Sequence, residues 1–199
     1  SPLVGALAAG NRCMIKMAAN SSHLSELLQR LFAKHFAADM LTIVQGAKGS
    51  DFAALAFDHL VFTGSSHTGR QVMLAAADNL TPVTLELGGK SPTIIAPDYS
   101  IAKAAKRLLF SKYLNAGQTC VAPDYLFVPA GQVDEFVAVA KTIVSARYPD
   151  IEHQDYTSII NDRAYMRLKS ILADALEQGA IATTLVPSSV ANDVTRKFP

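Results

Sequence analysis

Leu85-Glu86-Leu87-Gly88-Gly89-Lys90-Ser91-Pro92 opens, and Asn115-Ala116-Gly117-Gln118-Thr119-Cys120-Val121-Ala122-Pro123-Asp124-Tyr125 closes, the stretch around which this chain is organised. The first run carries the apolar strand Val83–Leu87 onto two glycines, which let the backbone change direction. The second stops an amphipathic helix over 101–114 at a Gly-Gln turn, and a strand is expected from Tyr125 to Val128. A carboxylate and a thiol, each presented by such a turn, point to a nucleophile and its base.

Outward from that stretch, helix and strand signals alternate. Toward the start, Pro2 to Ala9 reads as a short helix closed by Gly10, and Cys13 to Ile15 as a strand ending on Lys16. Ser22 is expected to cap a helix whose Leu24, Leu27, Leu28, Leu31 and Phe32 recur at helical spacing. Leu41 to Val44 reads as a strand, Ser50 as the cap of a brief helix to Leu55, Leu60 to Phe62 as a buried strand, and Arg70 to Ala77 as a helix. Toward the end come a strand at Thr93–Ile95 and a helix over Val133–Arg147, striped by Phe136, Val137, Ala140 and Val144. A helix over Arg163–Gln178 and a strand at Thr183–Val186 follow. Such alternation predicts an α/β fold: a mostly parallel sheet with helices on both faces, three layers in all. The glycine pair marks the expected domain boundary, with residues 1–86 before it and 87–199 after it.

Half of the 199 residues are hydrophobic, enough for a substantial core, and a chain of this length buries roughly 70% of its unfolded surface. Net charge is +1 with the signs interspersed, so there is no basic footprint for nucleic acid or for a membrane surface. Cys13 and Cys120 are far apart, and they and the five histidines show no metal-ligand spacing; no metal is expected, and the compartment reads as reducing and cytoplasmic. A first residue other than Met, and an end in Lys197-Phe198-Pro199, read as a piece of something longer.

Each candidate site residue has a plain structural reading beside the chemical one. Gly64-Ser65-Ser66-His67-Thr68-Gly69 leaves a strand and opens a helix, where backbone N–H groups suit a phosphate. It is neither a Walker loop nor GxGxxG, and an ordinary strand-to-helix turn fits it too. Lys16, at the carboxyl end of a strand, stands where parallel sheets bind ligands, or is a lysine reaching past the core to water. Glu86, among Thr84, Leu85 and Leu87, is expected to be partly shielded from water, which raises a carboxyl pKa toward a general base's range; an open strand face or pairing with Lys90 are the alternatives. Cys120 lies in a turn where packing gives little reason for a thiol, whereas Cys13 sits within a strand.

Taken together, Glu86-Leu87-Gly88-Gly89-Lys90-Ser91-Pro92, Gly117-Gln118-Thr119-Cys120, and Phe62-Thr63-Gly64-Ser65 with Gly69 resemble the signatures of the NAD(P)-dependent aldehyde dehydrogenase superfamily. Leu80-Thr81-Pro82-Val83-Thr84 and Ala122-Pro123-Asp124-Tyr125 are similar to its class 3-like branch, whose substrates include fatty and aromatic aldehydes, coniferyl aldehyde among them. The resemblance implies the end of a Rossmann-like cofactor domain followed by the start of an α/β catalytic domain. It implies Cys120 as nucleophile, its N–H as an oxyanion donor, and Glu86 as the base that activates the hydrolytic water. It further implies Lys16, Gly64, Ser65, Gly69, Leu87 and Gly88 as cofactor-binding positions, NAD as cofactor, and a homodimer or homotetramer.

Two departures qualify that expectation. Met17-Ala18-Ala19 follow Lys16 where the family usually carries a carboxylate that grips ribose hydroxyls, so NADP is expected to be tolerated as well. The family's segment bearing the second oxyanion donor, an asparagine, does not occur in these residues, so the chain alone is expected to be a weak or inactive catalyst. A CoA-acylating or phosphorylating relative, and a non-catalytic structural homologue, are the alternatives. Glu86 speaks against the first, and retention of Glu86 together with Cys120 against the second.

Overall fold

The computed structural model describes residues 2–186 and 191–198. The chain divides into two compact units, Ser1–Gly88 and Gly89–Pro199. In the first, the order is α1 (Pro2–Ala8), β1 (Cys13–Ile15), a 3-10 turn at Ala19–Ser21, α2 (Ser22–His35), β2 (Leu41–Ile43), α3 (Gly49–Ala53), β3 (Leu60–Gly64), α4 (Ser66–Ala77) and β4 (Val83–Leu87). In the second it is β5 (Ser91–Ile94), α5 (Ile101–Tyr113), a 3-10 segment at Leu114–Gly117, β6 (Pro123–Phe127), α6 (Val133–Arg147) and α7 (Asp162–Glu177).

Every ladder is parallel, as the alternation of strand and helix requires: β1 pairs β2, β3 pairs β4 and β5 pairs β6. A parallel pair needs a long crossover, and α2, α4 and α5 lie in the three crossovers. The expected sheet is therefore present as three two-stranded ladders among the described residues. In the first unit Ala53, Leu60 and Val72 form a core on which Phe57, Phe62, Ala75 and Val83 pack. In the second, Ala105 and Leu109 of α5 meet Ala140 and Val144 of α6, with Tyr148, Ile151, Tyr156 and Val186 closing the cluster. Ala105 and Ala140 are at most 1% exposed, so each helix places a small side chain at the centre of this core.

Several local expectations change. Ser22 is already helical, because the 3-10 turn before it feeds α2 directly; Ser21 holds the cap position without a side-chain bond. Ser50 lies inside α3, its hydroxyl bonded to Asp51 Oδ1 at 3.0 Å, and Lys48 takes the cap position. Leu24, Leu27 and Leu31 of α2 stay 40–49% exposed, while Ser25 is buried and accepts a hydrogen bond from Gln45 Nε2 at 2.8 Å. Arg70 is not the start of its helix: α4 begins four residues earlier at Ser66, capped by Ser65. Thr183–Val186 forms no strand; its apolar end reflects the burial of Val186 in the core rather than pairing.

Tyr113, Tyr148 and Tyr156 stack around one another, with ring centroids 5.1–6.1 Å apart. Burial, aided by Tyr148, pushes the Tyr113 hydroxyl up to about 12, and burial raises Tyr156 further. Tyr165 also rises to about 12, through burial and through its 2.8 Å bond to Asp193. The folded state holds these protons more tightly than the unfolded chain does, so their stabilisation is complete below pH 10 and is lost as pH climbs through about 12. Near-UV dichroism and tyrosinate absorbance followed together should show tertiary structure melting over that window, with Tyr113→Phe removing one buried hydroxyl from the titration and lowering the pH at which Tyr156 ionises, which Tyr113 helps to raise.

Candidate active site

In the first unit the candidate residues gather at the carboxyl end of the β3–β4 ladder. In-register pairing sets Thr63 opposite Glu86 and Gly64 opposite Leu87, so the turn into α4 and the end of β4 stand side by side. Ser65 caps α4 by accepting a hydrogen bond from Thr68 N at 3.2 Å, leaving the first N–H groups of the helix directed outward at its positive end. Gly64 is exposed on this edge, as is Gly88 beyond Leu87. A Cβ on Gly64 would meet the Phe62 ring at 2.5 Å, so the glycine accommodates that ring beside the turn.

Gly69 does a different job from contacting a phosphate. It is buried, and an added Cβ would stand 3.1 Å from Leu87 Cδ2 and 3.5 Å from Leu85 Cδ1. Its bareness lets α4 settle on β4 and so fixes the turn against the strand end. The same alternation corrects the expectation for Glu86. Leu85 and Leu87 face α4, which sends Thr84 and Glu86 to the opposite, exposed face, where His59 Nε2 meets Thr84 Oγ1 at 2.8 Å. Glu86 is exposed rather than shielded. Lys16 follows β1 on the other ladder of this unit; it is half-buried and donates to Met17 O at 3.1 Å.

In the second unit the candidate residues lie at the amino ends of β5 and β6. Cys120 is exposed in the turn that precedes β6, while Cys13 is half-buried with its thiol 3.9 Å from Asn11 O. Before the thiol, Asn115, Ala116 and Gly117 are successively left-handed (φ 53°, 53° and 73°), a run that non-glycine residues rarely adopt. Gly89 leads into β5 directly against this turn: a Cβ there would be 3.2 Å from the Cys120 carbonyl oxygen. Ser91 pairs Pro123 but Pro92 pairs Tyr125, so Asp124 bulges out of the ladder. Lys90 bonds that bulged carboxylate at 3.1 Å, so the alternative of a Glu86–Lys90 pair is not the one formed. Sequence reasoning missed Asp124 and Gln118, whose partners lie 34 and 40–42 positions away.

The structure thus gathers Gly64, Ser65, Gly69, Glu86, Leu87 and Gly88 at one ladder end, places Lys16 at another, and sets Cys120 on a strained turn in the second unit. Residues 1–193 match the aldehyde dehydrogenase family. The chain belongs to that family. A probable coniferyl aldehyde dehydrogenase of Pseudomonas aeruginosa is 52% identical over 189 residues, 94% of this chain and 39% of that protein. The substrate-bound structure of Staphylococcus aureus AldH superposes with a TM-score of 0.84 at 36% identity, over 98% of this chain and 42% of the other. A Mycobacterium tuberculosis aldehyde dehydrogenase complexed with NAD+ gives 0.78 at 34% identity, over 88% and 38%. The chain spans about two fifths of the length of these relatives. Among the described residues no helix is long and apolar enough to cross a membrane.

Gly89→Ala should force the Cys120 carbonyl away from the start of β5. A loss of about 1–3 kcal/mol in denaturant unfolding, the usual scale of overpacking, is expected. Unchanged stability would show that this turn is free to shift.

Proposed function

We propose that this chain carries the nucleophile, the base and the cofactor turn of an aldehyde dehydrogenase that oxidises an aromatic aldehyde such as coniferyl aldehyde, or a fatty one, to its acid with NAD(P)+. Residues 1–86 serve as the end of the cofactor domain and 87–199 as the start of the thiol domain. The observation that carries this reading is the exposed Cys120 thiol on a left-handed turn braced by Gly89.

The residues of the β3–β4 edge fit a dinucleotide: an exposed, serine-capped helix start offers N–H groups and positive charge to a pyrophosphate, and Gly64 keeps the approach narrow in side chains. Gly69 and Leu87 hold that edge in shape, Gly88 leaves it open, and Lys16, which here donates to Met17 O, would contact the adenosine ribose. When bound, the cofactor supplies the hydride acceptor. Cys120 adds as thiolate to the carbonyl carbon, and its N–H donates to the oxyanion of the thiohemiacetal. Oxidation leaves a thioester on Cys120. Glu86 takes a proton from water, the hydroxide adds to the thioester, and collapse releases the acid and the thiolate. Exposure of Glu86 in this chain suits a base that must meet water. Met17-Ala18-Ala19 leave no carboxylate to repel a 2′-phosphate, so NADP is accepted alongside NAD. Two free thiols accord with a reducing cytoplasm, and the active form is a homodimer or homotetramer.

The test exchanges residues 1–193 for the matching segment of the Pseudomonas aeruginosa relative and follows NAD(P)H formation from coniferyl aldehyde. Cys120→Ala should lower kcat by about 10⁴-fold or more, on the scale of losing a nucleophile. Glu86→Gln should keep one rapid turnover and slow the steady state by about 10²–10⁴-fold. Full steady-state activity in Glu86→Gln that depends on added CoA or phosphate would favour an acyl-transferring relative, and activity in Cys120→Ala would refute the mechanism.

A further inference from the structure

We propose that Gln118 is a positioning residue for Cys120, setting the thiol turn against the backbone of residues 158–160. The inference rests on the reading of Cys120 as nucleophile and adds the device that holds it.

Three successive left-handed residues do not persist unaided: each non-glycine one costs on the order of 1–3 kcal/mol unless its surroundings fix it. Two bonds close the turn on itself, from Gln118 N to Asn115 O at 3.1 Å and from Asn115 Nδ2 to Gln118 O at 3.2 Å. They shape the turn without fixing where it points. The Gln118 side chain does that. Its Nε2 donates to Asn115 O at 3.0 Å and to Ser158 O at 3.1 Å, and its Oε1 accepts from Ile160 N at 2.9 Å. Both amide hydrogens and the carbonyl are thereby committed, in a side chain that is half-buried, where such bonds are stronger than in water.

The anchor is itself fixed. Ile159 is 4% exposed; its N–H donates to Arg196 O at 2.9 Å, and its carbonyl accepts from Arg196 Nε at 3.1 Å. Asn161, next in the chain, caps α7 by accepting from Ala164 N at 2.9 Å. A planar amide thus ties the residue two positions before the thiol to the backbone on either side of the buried Ile159. Glutamate would keep the acceptor for Ile160 but set negative charge against the Ser158 and Asn115 carbonyls; methionine would keep the shape and lose every bond.

Site-resolved alkylation of the 199-residue chain by iodoacetamide across a pH range reads the thiol directly, with Cys13 as internal reference. Gln118→Met and Gln118→Glu should each change the Cys120 rate constant by about threefold or more and displace its pH profile, because alkylation follows the electrostatic surroundings and access of the thiolate that the turn sets. Cys13 should keep its rate. A Cys120 profile within about twofold of wild type, even with a lower melting temperature, would overturn the proposal, as would an equal change at both cysteines. Should Gln118→Met not fold, Gln118→Glu gives the same reading. Loss of the nucleophile assignment shows separately, as aldehyde oxidation surviving Cys120→Ala.

Discussion

Parallel pairing of β3 with β4 obliges both strands to finish on the same edge, and the chemistry of the first unit depends on that obligation. Leu60 to Gly64 and Val83 to Leu87 run in register, so the turn after β3 meets the end of β4 without an intervening element. Gly69 completes the arrangement from above: with no Cβ, it allows α4 to close on Leu85 and Leu87. A helix pole, two open glycines and a carboxylate then share one edge because backbone geometry leaves them no other place.

The second unit uses the other end of its ladder. Gly89 and Cys120 both precede their strands, and the turn holding the thiol lies on the backbone that enters β5. Pro92 withholds an N–H, the register slips by one residue, and Asp124 turns outward to Lys90. Close packing of main chain, strained dihedrals and a side-chain strut thus hold one exposed sulfur. The cost of these features is met during folding, so the turn is set before anything approaches the sulfur.

Much of this was legible in the residues. Period-two alternation gave Val83–Leu87 its bounds, and period 3.6 gave Val133–Arg147 both of its ends. The same alternation also contains the exposure of Glu86, since Leu85 and Leu87 claim the inner face, and apolar neighbours in sequence are not neighbours in space. What stayed hidden depends on long-range partners. Nothing local distinguishes Gln118 from a solvated glutamine until Ser158 and Ile160 come within 3.1 Å. Nor does Thr183–Val186 differ from a strand, because burial of Val186 imposes an apolar residue whether or not a ladder forms.

The buried alanines of α5 and α6 have a consequence for how such a sequence drifts. Ala105 and Ala140 lie in one core with essentially no exposed surface, so a larger side chain at either overpacks that core, and a glycine weakens its helix. Neither position changes freely, so substitutions will accumulate on the outward faces of the two helices while these two alanines stay.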